Sequence, residues 1–297
     1  PSLSVSPWNS DSQSGKSSKE ALIYLEIGLH SDDAALNQIK LAIQSVLQDI
    51  GHVVEDYRSI LLKLEQASDN VGQFRGEAKE SISFLHWLQE SHFTFLGYRE
   101  YDFEQAKGTQ QAGLKEQVDK RLGIFKKLET VDNFLPVDDF SEGMKSYHDG
   151  ADVLCFSKSA TRSNVHRAVY PDYIAIKKYD DRGKPCGEVR FLGLFTYSVF
   201  TMSPMQIPLL REKISAILQR SGLDPHGFEG KNLIRVTENF PKDELFQSDE
   251  DTLYKNICSI AAINERHVVR LIMRSDPFGS FVNCMVYVPR DLYTTRI

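Results

Sequence analysis

Arg162, His166, Arg167, Asp172 and Arg190 stand nearest to chemistry in this chain. The first three precede a β-rich run and Arg190 lies on its return, so one loop and one hairpin would carry all five. Planar guanidinium forks meet carboxylate and phosphate oxygens in pairs. The group is therefore a candidate clamp for an acidic amino acid or another small anion. The competing reading is structural. Asp172, Asp180, Asp181 and Glu188 are interleaved with the cations, and this favours ion pairs that brace the loop. A second cationic set, Arg270, Arg274 and Arg290, accompanies Arg266 and Asp276. Arg270 and Arg274 would share a strand face, either docked on an acidic neighbour in a part of the protein outside this chain or turned to water.

Patterns for catalysis or cofactor binding do not survive scrutiny. No G-x-G-x-x-G occurs, so there is no dinucleotide fingerprint. Gly230-Lys231 resembles the end of a phosphate loop, but Pro225 stands where the first Gly belongs and Asn232 replaces Ser or Thr. The eight histidines are scattered, with no H-E-x-x-H. Cys155, Cys186, Cys258 and Cys284 form no C-x-x-C pair and read as free thiols. The expectation is no catalytic, cofactor-binding or metal-ligating residue in this chain.

The elements that would position these residues centre on His166–Thr201. Runs at Asp172–Tyr179 and Glu188–Phe200 flank Asp180-Asp181-Arg182-Gly183-Lys184-Pro185, which has the Asp, Gly and Pro that reverse a chain. Upstream, residues 1–20 are Ser-rich and read as a disordered lead-in. Residues 21–75 read as a strand, Ala21–Leu29, then a helix of about 35 residues capped by Ser31, with a weak point at Gly51. A polar boundary is expected at Ala67–Gly76. Residues 76–202 read as a helix and five strands, with a short helix between the second and third. That order is the layout of PAS- and GAF-type folds. Residues 203–264 read as a helical connector, interrupted at Pro241 and Asp243-Glu244. Residues 265–297 read as a β-hairpin turning at Asp276-Pro277-Phe278-Gly279. The fold class expected is α+β: a central antiparallel PAS-like sheet, flanking helical segments, and partial ACT-type elements at both ends.

Composition excludes some classes. The 297 residues are 41% hydrophobic and carry a net charge of −6, which argues against a dedicated nucleic-acid binder. The apolar run Phe191–Phe200 is too short for a bilayer, and no signal peptide is evident. A cytoplasmic protein is expected. Pro1 at the start and the new element begun before Ile297 suggest a piece of something longer.

Six blocks then occur in order: Val165-His166-Arg167 to Asp172-Tyr173-Ile174; Arg190-Phe191-Leu192-Gly193-Leu194-Phe195-Thr196; Ile207-Pro208-Leu209-Leu210-Arg211; Asp243-Glu244-Leu245-Phe246-Gln247; Asp276-Pro277-Phe278-Gly279; and Val288-Pro289-Arg290-Asp291. Together they resemble the N-terminal regulatory half of the large bacterial NAD-specific glutamate dehydrogenases, most strongly over residues 151–297. The resemblance implies a full-length enzyme that deaminates L-glutamate to 2-oxoglutarate with NAD, from a catalytic domain further along the chain. It also implies ACT-type and PAS-type modules, homo-oligomers and amino-acid effectors. The expected role is then a non-catalytic regulatory and assembly segment whose partner is the remainder of its own chain. The alternatives are a free-standing small-molecule sensor and a purely structural spacer.

Overall fold

The computed structural model describes residues 23–29, 32–105, 112–128, 133–263, 266 and 268–293. Contacts divide the chain into two units, 1–45 and 46–297. The expected lead-in, residues 1–20, and Ser31 lie outside the described residues. In the first unit, residues 23–29 join no ladder, and Ile23, Leu25 and Ile27 are exposed. Alternation alone does not make a strand; a strand needs a partner for its backbone. Asp32 caps the following helix, accepting from the Ala34 amide at 2.9 Å.

Helix α1 (Asp33–Phe74) runs through Gly51 and past the boundary expected at 67–76. A mid-helix glycine costs about 1 kcal/mol, and burial of Val53, Ile60, Leu64 and Val71 outweighs it. Its polar end is held by Asn70, whose side chain donates to the Tyr179 carbonyl (3.0 Å) and accepts from the Tyr179 amide (2.9 Å). Two buried acids fasten its middle: Asp49 to Lys127 at 2.6 Å, and Asp56 to Lys126 at 2.7 Å and to the Gly123 amide at 2.8 Å.

After α2 (Lys79–Trp87) comes the sheet: β1 (Phe93–Gln105), β2 (Ala112–Glu116), β3 (Leu122–Gly123), β4 (Phe134–Pro136), β5 (Leu154–Lys158), β6 (Asp172–Tyr179) and β7 (Pro185–Phe195), with α3 (Glu142–Asp149) between β4 and β5. The order is β4-β2-β1-β7-β6-β5, with β3 also on β1, and every pairing is antiparallel. The sheet thus has seven strands where five were expected. Strands β2 and β4 are only five and three residues long, too short for an alternation to show. The β6–β7 turn is built by Asp180, whose Oδ1 accepts from the Arg182 and Lys184 amides at 2.9 Å each, with Gly183 at φ 73°. Strand β7 stops at Phe195, not Phe200. There the Thr196 amide donates to the His92 carbonyl (3.0 Å), and Tyr197–Thr201 coils into α4.

The helical layer holds α5 (Leu210–Ser221), α6 (Phe228–Glu238), α7 (Lys242–Gln247) and α8 (Glu250–Ala261). Helix α7 occupies the place read as an interruption. Its C-terminal carbonyls are satisfied by the buried Lys213 ammonium, which donates to Leu245 and Phe246 at 3.2 Å and to Ser248 at 2.8 Å. Burial pulls that ammonium down to about 8. A separate hairpin, β8 (Arg270–Ser275) with β9 (Val282–Tyr287), follows.

One sheet face carries Phe93, Phe95, Tyr98, Ile174, Ile176, Phe191 and Phe195 into the main core, against Ile60, Leu64, Phe84 and the helical layer. Phe246 of α7 joins the layers, stacking on Phe195 (4.9 Å) and approaching Phe84 (5.5 Å) and Phe156 (5.2 Å). The opposite face holds smaller clusters, Leu96 with Leu194 and Val165, and Tyr101 with Leu114, Phe140 and Met144. The architecture is α+β, an antiparallel sheet with helices.

Candidate functional site

The five residues singled out near the hairpin are not brought to one place. Asp172 of β6 lies opposite Lys158 of β5, which bonds it at 2.7 Å and reaches Asp243 of α7 at 3.0 Å. Register puts Asp172 opposite Gly193 and Ala175 opposite Arg190, so Asp172 and Arg190 point to opposite sheet faces. Arg167 donates to the Phe195 carbonyl at 2.6 Å, tying its loop to the end of β7. His166 is exposed at φ 67°, and Arg162 lies 5.3 Å over the Tyr170 ring. Each contact braces a loop or a strand.

In the C-terminal set, Arg270 and Arg274 are half-buried on one face of β8. Arg274 forks onto Glu244 of α7 at 2.9 and 2.8 Å, so its acidic neighbour lies within this chain and not outside it as expected. Glu244 also accepts from Asn283 of β9. Burial would raise the Glu244 carboxyl, but the bonds from Arg274 and Asn283 prevail and hold it below the usual range. The side chain of Arg290 lies outside the described residues.

The face that carries Arg190 holds residues the sequence reading passed over. Arg99 of β1 is the direct cross-strand partner of Arg190 of β7. Arg190 pairs through Nε with Glu188, and its guanidinium lies 4.5 Å over both Tyr101 and Phe278. Arg99 Nε is 3.2 Å from Glu116, and its guanidinium lies 4.1 Å over Phe125. Arg121 forks onto Glu116 at 2.8 and 2.9 Å. His148 of α3 approaches Glu188 at 3.3 Å. Burial acts to raise the Glu188 carboxyl, and the Arg190 charge outweighs it and holds it low. The signal was available in the alternation of β1, which sets Arg99 and Tyr101 on one face. It was missed because those two sit in a strand otherwise read for its aromatics.

Among the described residues, no helix is long and apolar enough to cross a membrane. The profile of glutamate dehydrogenase helical motif 1 matches residues 207–266, and that of the glutamate dehydrogenase ACT2 domain matches residues 270–297. The chain is 36% identical over 285 residues to the NAD-specific glutamate dehydrogenase of Halomonas elongata, covering 94% of this chain and 18% of that protein. It is 36% identical over 298 residues to that of Pseudomonas aeruginosa, covering 96% and 18%. To that of Mycobacterium tuberculosis it is 23% identical over 288 residues, covering 94% and 16%. The matches to the first two relatives run through nearly all of this chain but only 18% of their length, and two glutamate dehydrogenase profiles match its C-terminal third in order. Over nearly all of its length the chain is similar to the large NAD-specific glutamate dehydrogenases.

Proposed function

We propose that this chain is a non-catalytic regulatory and assembly segment of an NAD-dependent glutamate dehydrogenase. The whole enzyme would convert L-glutamate, NAD and water to 2-oxoglutarate, ammonium and NADH, with NAD bound outside this segment. The observation that carries the reading is the alignment of nearly the whole chain to a small fraction of relatives named for that activity. The match of residues 270–297 to an ACT2 domain supports a regulatory role and an ACT-type module at that end. An ACT-type module closed by residues 21–75 remains part of the proposal. The PAS-like reading of residues 76–202 is supported by strand order, in which the first strand, β1, lies between its neighbour β2 and the last strand, β7. The partners would be the remainder of the chain, further copies of it in a homo-oligomer and an amino-acid effector, in the cytoplasm.

The test is spectrophotometric. Glutamate-dependent NADH formation is expected from the full-length protein and not from this chain alone. NADH formation by the isolated chain would overturn the proposal.

A further inference from the structure

We propose that the sheet face around Arg99, Tyr173 and Arg190 binds the carboxylate of a small organic acid. The register of β1 and β7 sets Arg99 and Arg190 directly opposite each other. Like charges so placed repel, and an anion between them would relieve the repulsion. Arg190 is committed at Nε, which donates to Glu188, whereas Arg99 Nε lies 3.2 Å from Glu116 without a hydrogen bond formed. The terminal nitrogens are little occupied. Arg99 Nη1 makes one long bond, 3.3 Å, to the Tyr101 hydroxyl, and those of Arg190 have no hydrogen-bond partner among the described residues. The two side chains stay 18% and 17% exposed, so their outer ends can be reached from solvent.

Tyr173 supplies a third donor. It pairs with Leu192, which puts it diagonal to Arg190 on the same face. Its ring runs nearly parallel to that of Phe125, 6.3 Å away. Its hydroxyl has no partner among the described residues. Burial raises its phenol, and Arg99 and Arg190 pull the other way, so it lies within the field of both arginines.

The open guanidinium edges name the ligand class. Glu116 already serves Arg121 through two bonds and Asn133 through a third. Glu188 serves Arg190 and faces His148. Asp276 is engaged by Ser157 (2.6 Å) and by the amides of its own turn. Arg99, Arg121 and Arg190 thus meet Glu116 and Glu188, and the terminal nitrogens of Arg99 and Arg190 stay open beside Phe125, Tyr101 and Phe278. The open edge of a guanidinium fits a planar anionic group that accepts two parallel bonds. A carboxylate offers that pair of coplanar oxygens. Arg162, His166 and Arg167 have no part in this site.

The choice of amino and keto acids as probes rests on the regulatory reading above; the site itself rests on geometry. Calorimetric titration of the 297-residue chain with L-glutamate, L-aspartate, 2-oxoglutarate, acetate and phosphate, at matched ionic strength, tests it. At least one carboxylic acid is expected to bind with a dissociation constant of about 1 mM or tighter. Arg99→Gln and Arg190→Lys should each weaken it roughly tenfold, the second because an ammonium keeps the charge for Glu188 but lacks the fork. In the unsubstituted chain, the bound acid should shield Arg99 and Arg190, and not Arg162, from an arginine-directed dicarbonyl reagent mapped by mass spectrometry. This measurement stands if a variant fails to fold. No binding by any acid at about 10 mM overturns the proposal. So does binding unchanged in Arg99→Gln, or equal labelling with and without acid, or phosphate bound more tightly than every acid. NADH formation by the chain alone would sink the regulatory reading and leave the binding result standing.

Discussion

At Asp172, burial pushes the carboxyl up to about 7, against the pull of Lys158 and with added repulsion from Asp243. An unfolded Asp ionises near 3.8, so between these values the folded chain holds a proton that the unfolded chain has lost. Ionising Asp172 therefore costs stability. The penalty is absent below pH 3.8 and complete above about pH 7. Asp172→Asn should raise the melting temperature at about pH 8 and leave it near that of the parent chain at about pH 4. A lower melting temperature at the higher pH would mean that the ion pair with Lys158 stabilises the fold. Gly123 is a different residue-scale constraint. It sits at φ 65°, a Cβ there would stand 2.2 Å from the Leu96 carbonyl oxygen, and its amide serves buried Asp56. Gly123→Ala is expected to cost roughly 3 kcal/mol in urea unfolding, and a loss below about 1 kcal/mol would show that the turn can relax.

Among elements, α7 has an effect out of proportion to its six residues. Asp243 meets Lys158 on the sheet edge, while its neighbour Glu244 holds Arg274 and Asn283 of the C-terminal hairpin. Glu244→Ala would leave the Arg274 guanidinium half-buried without its carboxylate, at a cost of about 3–5 kcal/mol. Amide exchange in residues 270–287 should accelerate more than in β6 and β7; uniform acceleration would deny α7 its special hold on the hairpin. Pro241 with Asp243 and Glu244 is a helix-start pattern, but six residues are too few for an apolar period to show, so the stretch read as an interruption. What completes the helix is Lys213, 32 to 35 positions before the C-terminal carbonyls it serves. The β6–β7 hairpin was legible because Asp180 and Gly183 act on their own turn. The Arg99–Arg190 juxtaposition needed the pairing of two strands far apart in sequence, and no local pattern reports that. Likewise α1 overran its expected end because Asn70 finds its partner at Tyr179.

Across residues 46–297, the sheet and the helical layer meet at Phe246, which is 4% exposed and stacked on Phe195. Phe246→Ala should cost about 3–5 kcal/mol. If the two layers unfold as one, circular dichroism and tryptophan fluorescence will still melt together at the lower temperature; two separated transitions would mean that Phe246 alone couples them. The gripping points on α7 have a mechanical corollary. Adjacent residues of a stiff rod are fastened to different bodies, one to the edge strand of the sheet and the next to a hairpin, so α7 behaves as a short lever on a fulcrum. A torque applied to the β8–β9 hairpin passes in part through Glu244 into Asp243, beside the ties that its turn makes to Ser157 and Arg190, and tugs Lys158 against Asp172. Displacement at one end of this segment then becomes a change in load on a buried ion pair at the other.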